Sequence, residues 1–111
     1  MSVKGIGIDI IEVERISELI SRKDNFLARN FTEAELNFNL KPESIAGNFA
    51  AKEAFSKALG TGFRRFNLCD IEVLRDELGA PYILFRRERM NGHVSISHTK
   101  TTAVAVVILM S

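Results

Sequence analysis

An α+β domain is predicted by three features of this sequence: its helical patterns gather in the first half, all its strand-like patterns but one close the chain, and no internal repeat or regular strand–helix alternation runs through it. The exception comes first. Val3 to Ile11 (VKGIGIDII) is rich in isoleucine with Gly5 and Gly7 interleaved, and reads as a core strand whose glycines let another backbone come close. Val13, Ile16, Leu19 and Ile20 then recur at helical spacing, while Glu14, Arg15, Glu18, Arg22 and Lys23 fall elsewhere, which gives an amphipathic helix with a charged flank. Phe26, Leu27 and Phe31 form an apolar cluster around Arg29. Thr32 and Glu35 stand at capping-box spacing and start a short helix that runs to about Leu40.

Pro42 suits the first turn of the next helix, the stretch through Leu59 is dense in alanine, and Gly60 and Gly62 stop it. Ala46, Gly47, Ala50, Ala51, Ala54 and Ala58 are small enough for this helix to lie unusually close to its cover, with Phe49 and Phe55 as anchors. It reads as the central helix. Asp70 to Leu74, a turn at Asp76 to Ala80, and Tyr82 to Phe85 make a hairpin, followed by a charged Arg86 to Arg89 segment. His93 to His98 alternates polar and apolar residues, Thr99 to Thr102 turns, and Ala103 to Leu109 is a β-branched run suited to a buried strand. The expected architecture is one compact domain over residues 1–111, an antiparallel sheet packed on the alanine-rich helix.

A chain of 111 residues builds one core. With 15 Lys plus Arg against 14 Asp plus Glu its net charge is +1, which argues against coating nucleic acid and requires any phosphate ligand to be held locally. The apolar run Ala103 to Met110 spans eight residues, well short of the roughly 18 of a membrane span. No signal-peptide core precedes Asp9, so no membrane partner and a cytoplasmic location are expected. The lone Cys69 makes neither an internal disulfide nor a cysteine metal cage.

Three clusters could carry chemistry. An ionised Asp9 inside an isoleucine-rich strand is costly to bury without a cation or donors, unless it sits at the strand's exposed end and caps the first helix. Glu53 and Lys57 share a helix face one turn apart, either as an ordinary exposed ion pair or, with Asp9, as a site where two carboxylates hold magnesium and the lysine meets phosphate. Ser95-Ile96-Ser97-His98-Thr99 sets hydroxyls and an imidazole at a strand end, as an anion site or as the strand's polar face. Gly60-Thr61-Gly62 follows the lysine-bearing helix, so it is no P-loop, and no nucleophile elbow accompanies His98.

Three motifs in order, Gly5-Ile6-Gly7-Ile8-Asp9 with Arg15, then Phe49-Ala50-Ala51-Lys52-Glu53-Ala54-Phe55-Ser56-Lys57-Ala58-Leu59-Gly60, then Val94-Ser95-Ile96-Ser97-His98-Thr99, resemble those of the 4′-phosphopantetheinyl transferases in their small bacterial form. The resemblance covers nearly the whole chain. It implies transfer of the phosphopantetheine arm of coenzyme A to a serine of apo-acyl carrier protein, releasing 3′,5′-ADP, in fatty acid biosynthesis. It implies magnesium on Asp9 and Glu53, a catalytic set of Asp9, Glu53 and Lys57, and coenzyme A contacts from Lys57, Gly60, His98 and Thr99. It also implies a homotrimer with active sites between subunits, and a carrier protein docked by Arg15, Arg22 and Phe26. Both a metal-bound water and Glu53 acting through one remain open as the base. Two departures stand out. Asn48 replaces an arginine that the family pattern associates with the nucleotide's 3′-phosphate, and the short 37–44 stretch has Lys41 as its only basic residue, leaving Arg64 and Arg65 as substitutes. A nucleotide-binding module without turnover, or a purely structural trimer, are the competing readings.

Overall fold

Two glycines decide how closely the first strand and the central helix approach. The structure, a computed structural model, describes residues 2–60 and 66–111. Strand β1 (Val3–Glu12) lies against the long helix (Pro42–Leu59), and a Cβ on Gly7 would fall 1.8 Å from the Ala54 carbonyl oxygen. One on Gly5 would fall 2.1 Å from that of Ala58. Only hydrogen fits at either position, so the expected close backbone approach is realised.

Between them run α1 (Val13–Ser21), α2 (Phe26–Asn30) and α3 (Glu33–Leu36), which makes the long helix α4. A 3-10 turn (Leu68–Asp70), β2 (Ile71–Arg75), β3 (Pro81–Phe85), β4 (Glu88–Arg89), β5 (Gly92–His98) and β6 (Thr102–Met110) complete the chain. The strands form two antiparallel sheets, ordered β1-β6-β5 and β2-β3-β4, so the α+β expectation holds. In the first sheet Asp9 pairs with Ala105 and Ala105 with Ile96, while Ile11 pairs with Ala103 and Ala103 with His98. Its inner face, with Gly7, Ala103, Ala105, Val107 and Leu109, packs on α4. Its outer face leaves Ile6, Ile8 and Ile10 exposed by 61, 60 and 68%.

Helix α4 starts on Pro42 and stops on Gly60, whose φ of 78° is left-handed, and it is buried on most sides. Lys52 is therefore fully enclosed. Its Nζ donates to Glu35 Oε1 (2.6 Å), Asn30 O (2.7 Å) and Leu68 O (3.0 Å), and lies over the Phe31 ring. Glu35 also accepts from the Thr32 and Val73 amides, closing the expected capping box and tying α3 to β2. Burial outweighs these contacts and pushes the Glu35 carboxyl up and the Lys52 ammonium down from their ordinary values.

Three boundaries differ from the sequence reading. The helix begun at Thr32 ends at Leu36 rather than Leu40, because the Phe38 amide turns back to Glu35 O and Asn39 Oδ1 accepts from the Lys41 amide. The Phe26–Phe31 cluster contains its own helical turns, entered through a left-handed Asn25 (φ 59°). Asp70 belongs to the 3-10 turn and the hairpin strand begins at Ile71. Gly62, Arg64 and Arg65 lie outside the described residues. Among the described residues no helix is long and apolar enough to cross a membrane.

Gly7→Ala is expected to lower stability by about 3 kcal/mol in urea denaturation, the upper range for overpacking. Gly79→Ala, in a hairpin turn with open space and a φ of 87°, is expected to lose only about 1 kcal/mol from backbone strain. Similar losses at the two positions would contradict the steric account. Lys52→Met, which leaves Glu35 buried without its counter-charge, is expected to lose about 4 kcal/mol in the same measurement.

Candidate active site

Asp9 lies two residues beyond Gly7, so its side chain shares the face that meets α4. It sits in mid-strand, opposite Ala105. The capping alternative therefore fails: residue 12 precedes α1, and no side chain caps that helix. Only 10% of the Asp9 side chain is exposed; Oδ1 accepts from Lys57 Nζ at 3.1 Å, and Oδ2 is buried with no hydrogen-bond partner. Lys57 Nζ also donates to the Ile8 carbonyl at 2.9 Å.

Glu53, one turn before Lys57, is half-buried beside Asp9. Burial, then the charge and proximity of the Asp9 carboxylate, push its carboxyl up to about 7, against the opposing pull of Lys57 and Arg15. Among the described residues Lys57 pairs with Asp9 and not with Glu53, so the simple i,i+4 salt bridge is absent. Two carboxylates thus face each other with one buried oxygen unanswered. That donor set suits a hard cation. Two carboxylates are the number magnesium takes from a protein, an ion that fills the rest of its shell with water and phosphate oxygens. The site opens into a concavity lined by Ile8, Asp9, Ile10, Lys57 and Val104.

The structure does not bring His98 and Thr99 to this cluster. His98 ends β5, two strands and about 10 Å across the sheet from β1. Thr99 caps the following turn, its Oγ1 accepting from the Thr101 and Thr102 amides. Gly60 ends α4 with its amide on Lys57 O. Ser95 and Ser97 line the exposed face of β5, as the polar-strand reading had it. Arg15 and Arg22 are exposed on and just after α1. Phe26 is a correction: it is buried, its ring packed against Phe31 and Phe49, so it shapes α2 from within and offers no docking surface.

Two polar contacts were not read from the sequence. One is the Lys52–Glu35 pair, for which the only local signal is that a lysine on an alanine-covered helix has no solvent to reach. The other joins Arg75 Nη2 to Asn48 Oδ1 at 2.9 Å.

The model describing the 4′-phosphopantetheinyl transferase superfamily matches residues 5–108. The chain belongs to this superfamily. A holo-[acyl-carrier-protein] synthase of Clostridium botulinum (strain Alaska E43 / Type E3) is 50% identical to it, over 96% of this chain and 97% of the relative. One from Clostridium perfringens (strain 13 / Type A) is 46% identical, over 95% and 92%. Among solved structures, the holo-(acyl-carrier-protein) synthase from Bacillus anthracis str. Ames in complex with CoA (3′,5′-ADP) superposes with a TM-score of 0.87 at 46% identity, over 98% of this chain and 97% of that one. The Helicobacter pylori holo-[acyl-carrier-protein] synthase in complex with coenzyme A gives 0.86 at 35% identity, over 95% and 99%. In this phosphopantetheinyl transferase the carboxylate cluster and the exposed Arg15 of α1 therefore sit on the fold of enzymes that bind coenzyme A.

The raised Glu53 carboxyl has a signed consequence. The folded transferase keeps that proton up to about pH 7, whereas the unfolded chain releases it near 4.5, so folding binds the proton between these values. In chelator, stability is expected to fall as pH rises from about 4.5 to 7, and Glu53→Gln to flatten that slope in urea midpoints. An equally steep slope in the variant would place the titration elsewhere.

Proposed function

We propose that residues 1–111 act as one transferase domain that moves the 4′-phosphopantetheine arm of coenzyme A to a serine of apo-acyl carrier protein, yielding holo-acyl carrier protein and 3′,5′-ADP, for fatty acid biosynthesis in the cytoplasm. The observation that carries this is the paired Asp9 and Glu53 with Lys57 at their rim. Its support is a chain half identical to a holo-[acyl-carrier-protein] synthase and superposable on one holding coenzyme A.

Asp9 and Glu53 would hold magnesium, which when bound neutralises charge on the pyrophosphate. Lys57, with 58% of its side chain exposed, offers its ammonium to the same phosphates as a second cation. The serine oxygen attacks the β-phosphorus, the bond from that phosphorus to the oxygen bridging to the α-phosphate breaks, and 3′,5′-ADP leaves with the electron pair. Glu53 is the group of this chain placed to receive the serine's proton. Arg15, near enough to bias Glu53, and Arg22 give an acidic carrier protein a basic landing beside the site.

The assembly proposed is a homotrimer with shared sites. Ile6, Ile8 and Ile10 form an exposed apolar row on the outer sheet face, beside the half-buried Val104, Val106 and Ile108 of β6, which is an unusual surface for a monomer. His98 and Thr99 stand two strands away from Asp9 within one chain, and in this assembly a neighbouring copy's β5 would supply the nucleotide contacts.

Intact-mass analysis of apo-acyl carrier protein incubated with coenzyme A and magnesium is expected to show the gain of one phosphopantetheine. Chelator should abolish that gain, and Glu53→Gln should slow it at least about 100-fold. Undiminished transfer by Glu53→Gln would remove the assigned role. Sedimentation is expected to find three chains for the wild type and a smaller species for Ile8→Asp; a wild-type monomer would contradict the assembly.

A further inference from the structure

Among the described residues, two buried side-chain polar atoms lack a hydrogen-bond partner: Asp9 Oδ2 and Arg75 Nη1. The first is a carboxylate oxygen and the second a guanidinium nitrogen. Arg75 ends β2 with its guanidinium against the N-terminal half of α4, where Nη2 donates to Asn48 Oδ1 at 2.9 Å. Asn48 is itself buried and fixes the direction of the guanidinium. Among the described residues no carboxylate pairs with it. Glu35, the acid that acts on its charge, already has its oxygens occupied by Lys52 and by the Thr32 and Val73 amides. A guanidinium withdrawn from water, held on one side by a neutral amide and unanswered on the other, is arranged to receive an anion, and its planar donors match phosphate oxygens.

The location restricts which anion. Asn48 follows Gly47, which packs under Ile96 of β5, two residues before His98. Arg75 therefore stands on the side of α4 that faces β5, the strand a neighbouring copy presents to the site in the assembly proposed above, whereas Asp9 and Lys57 stand on the β1 flank. Coenzyme A carries two anionic centres, the pyrophosphate and a 3′-phosphate monoester on the ribose. The pyrophosphate belongs to the β1 flank in the reading above, and the monoester, for which Asn48 brings no charge of its own, is the centre that a cation held by Asn48 can meet. Phe38 lies over the guanidinium, 5.4 Å from Cζ to ring centroid, and is 59% exposed, so it has open space into which to swing aside.

We infer that Arg75, oriented by Asn48, binds the ribose 3′-phosphate of coenzyme A and makes the enzyme prefer coenzyme A to its 3′-dephospho form. The inference rests on the coenzyme A reading. Asn48 then acts as a positioning residue for a guanidinium delivered from β2.

Calorimetric titration with 3′,5′-ADP and with 5′-AMP, which differ only in the 3′-phosphate, in magnesium, separates the two levels. The wild type is expected to bind 3′,5′-ADP at least about 30-fold more tightly, as a charge-assisted contact to a phosphate warrants. Arg75→Gln should lose that advantage by weakening 3′,5′-ADP alone, with 5′-AMP unchanged, and Arg75→Lys should keep part of it. In steady state the KM for coenzyme A should rise similarly with little change in kcat. Should Arg75→Gln fail to fold by circular dichroism, Arg75→Lys and Asn48→Ala carry the test, each with a reduced preference. Equal weakening of both nucleotides, or an unchanged preference, overturns the inference. A wild type that binds both nucleotides equally overturns it while leaving the coenzyme A reading intact; one that binds neither overturns both.

Discussion

The approach of β1 to α4 sets everything else in this fold. The carbonyls that touch Gly7 and Gly5 belong to Ala54 and Ala58, the residues immediately after Glu53 and Lys57. Backbone contact at two points one helical turn apart fixes both the separation and the slide of the helix along the strand. Asp9, two residues beyond Gly7, is thereby delivered to the turn that carries Glu53 and Lys57. A larger residue at either glycine would lift the helix and open the cluster, even though no glycine takes part in the chemistry.

Rotation of the helix is fixed from its other side. Lys52 and Glu53 are sequence neighbours, about 100° apart around the helix, and their environments are opposite. Lys52 is enclosed by Glu35, Asn30 O and Leu68 O, which binds α4 to α3 and to the turn before β2. Glu53 looks out beside Asp9 into a half-open site. The buried pair is satisfied within the chain, whereas the half-buried pair is like-charged and satisfied only in part by Lys57. This contrast separates structural ionisable groups from functional ones: both are desolvated, but only the second leaves a polar atom unanswered.

Much of this was legible in the sequence because it is local. Helical spacing gave α1, the Pro42 start and Gly60 stop gave α4, and the alternation of β5 and the branched run of β6 gave two neighbouring strands of the sheet. The interleaved glycines pointed to close backbone contact, and Asp9, Glu53 and Lys57 stood out as charges in apolar surroundings. What escaped depends on distant partners. Glu35 meets Lys52 across 17 residues and Asn48 meets Arg75 across 27, and no spacing rule reaches that far. Asn48 read as a lost cation, yet in the fold it is the acceptor that holds one. Phe26 stood as a docking residue through the family resemblance, but two phenylalanines from α4 and the end of α2 enclose it, as its apolar cluster with Leu27 and Phe31 suggests.

The central claim is that contact between β1 and α4 builds a two-carboxylate cation site from Asp9 and Glu53. Anomalous diffraction from crystals grown with manganese, a divalent ion that favours oxygen ligands as magnesium does, tests it most directly. The account predicts one dominant peak bonded to both Asp9 and Glu53, with Asp9 Oδ2 among its ligands. A peak elsewhere on the chain, or none while Lys57 remains paired with Asp9, would contradict it.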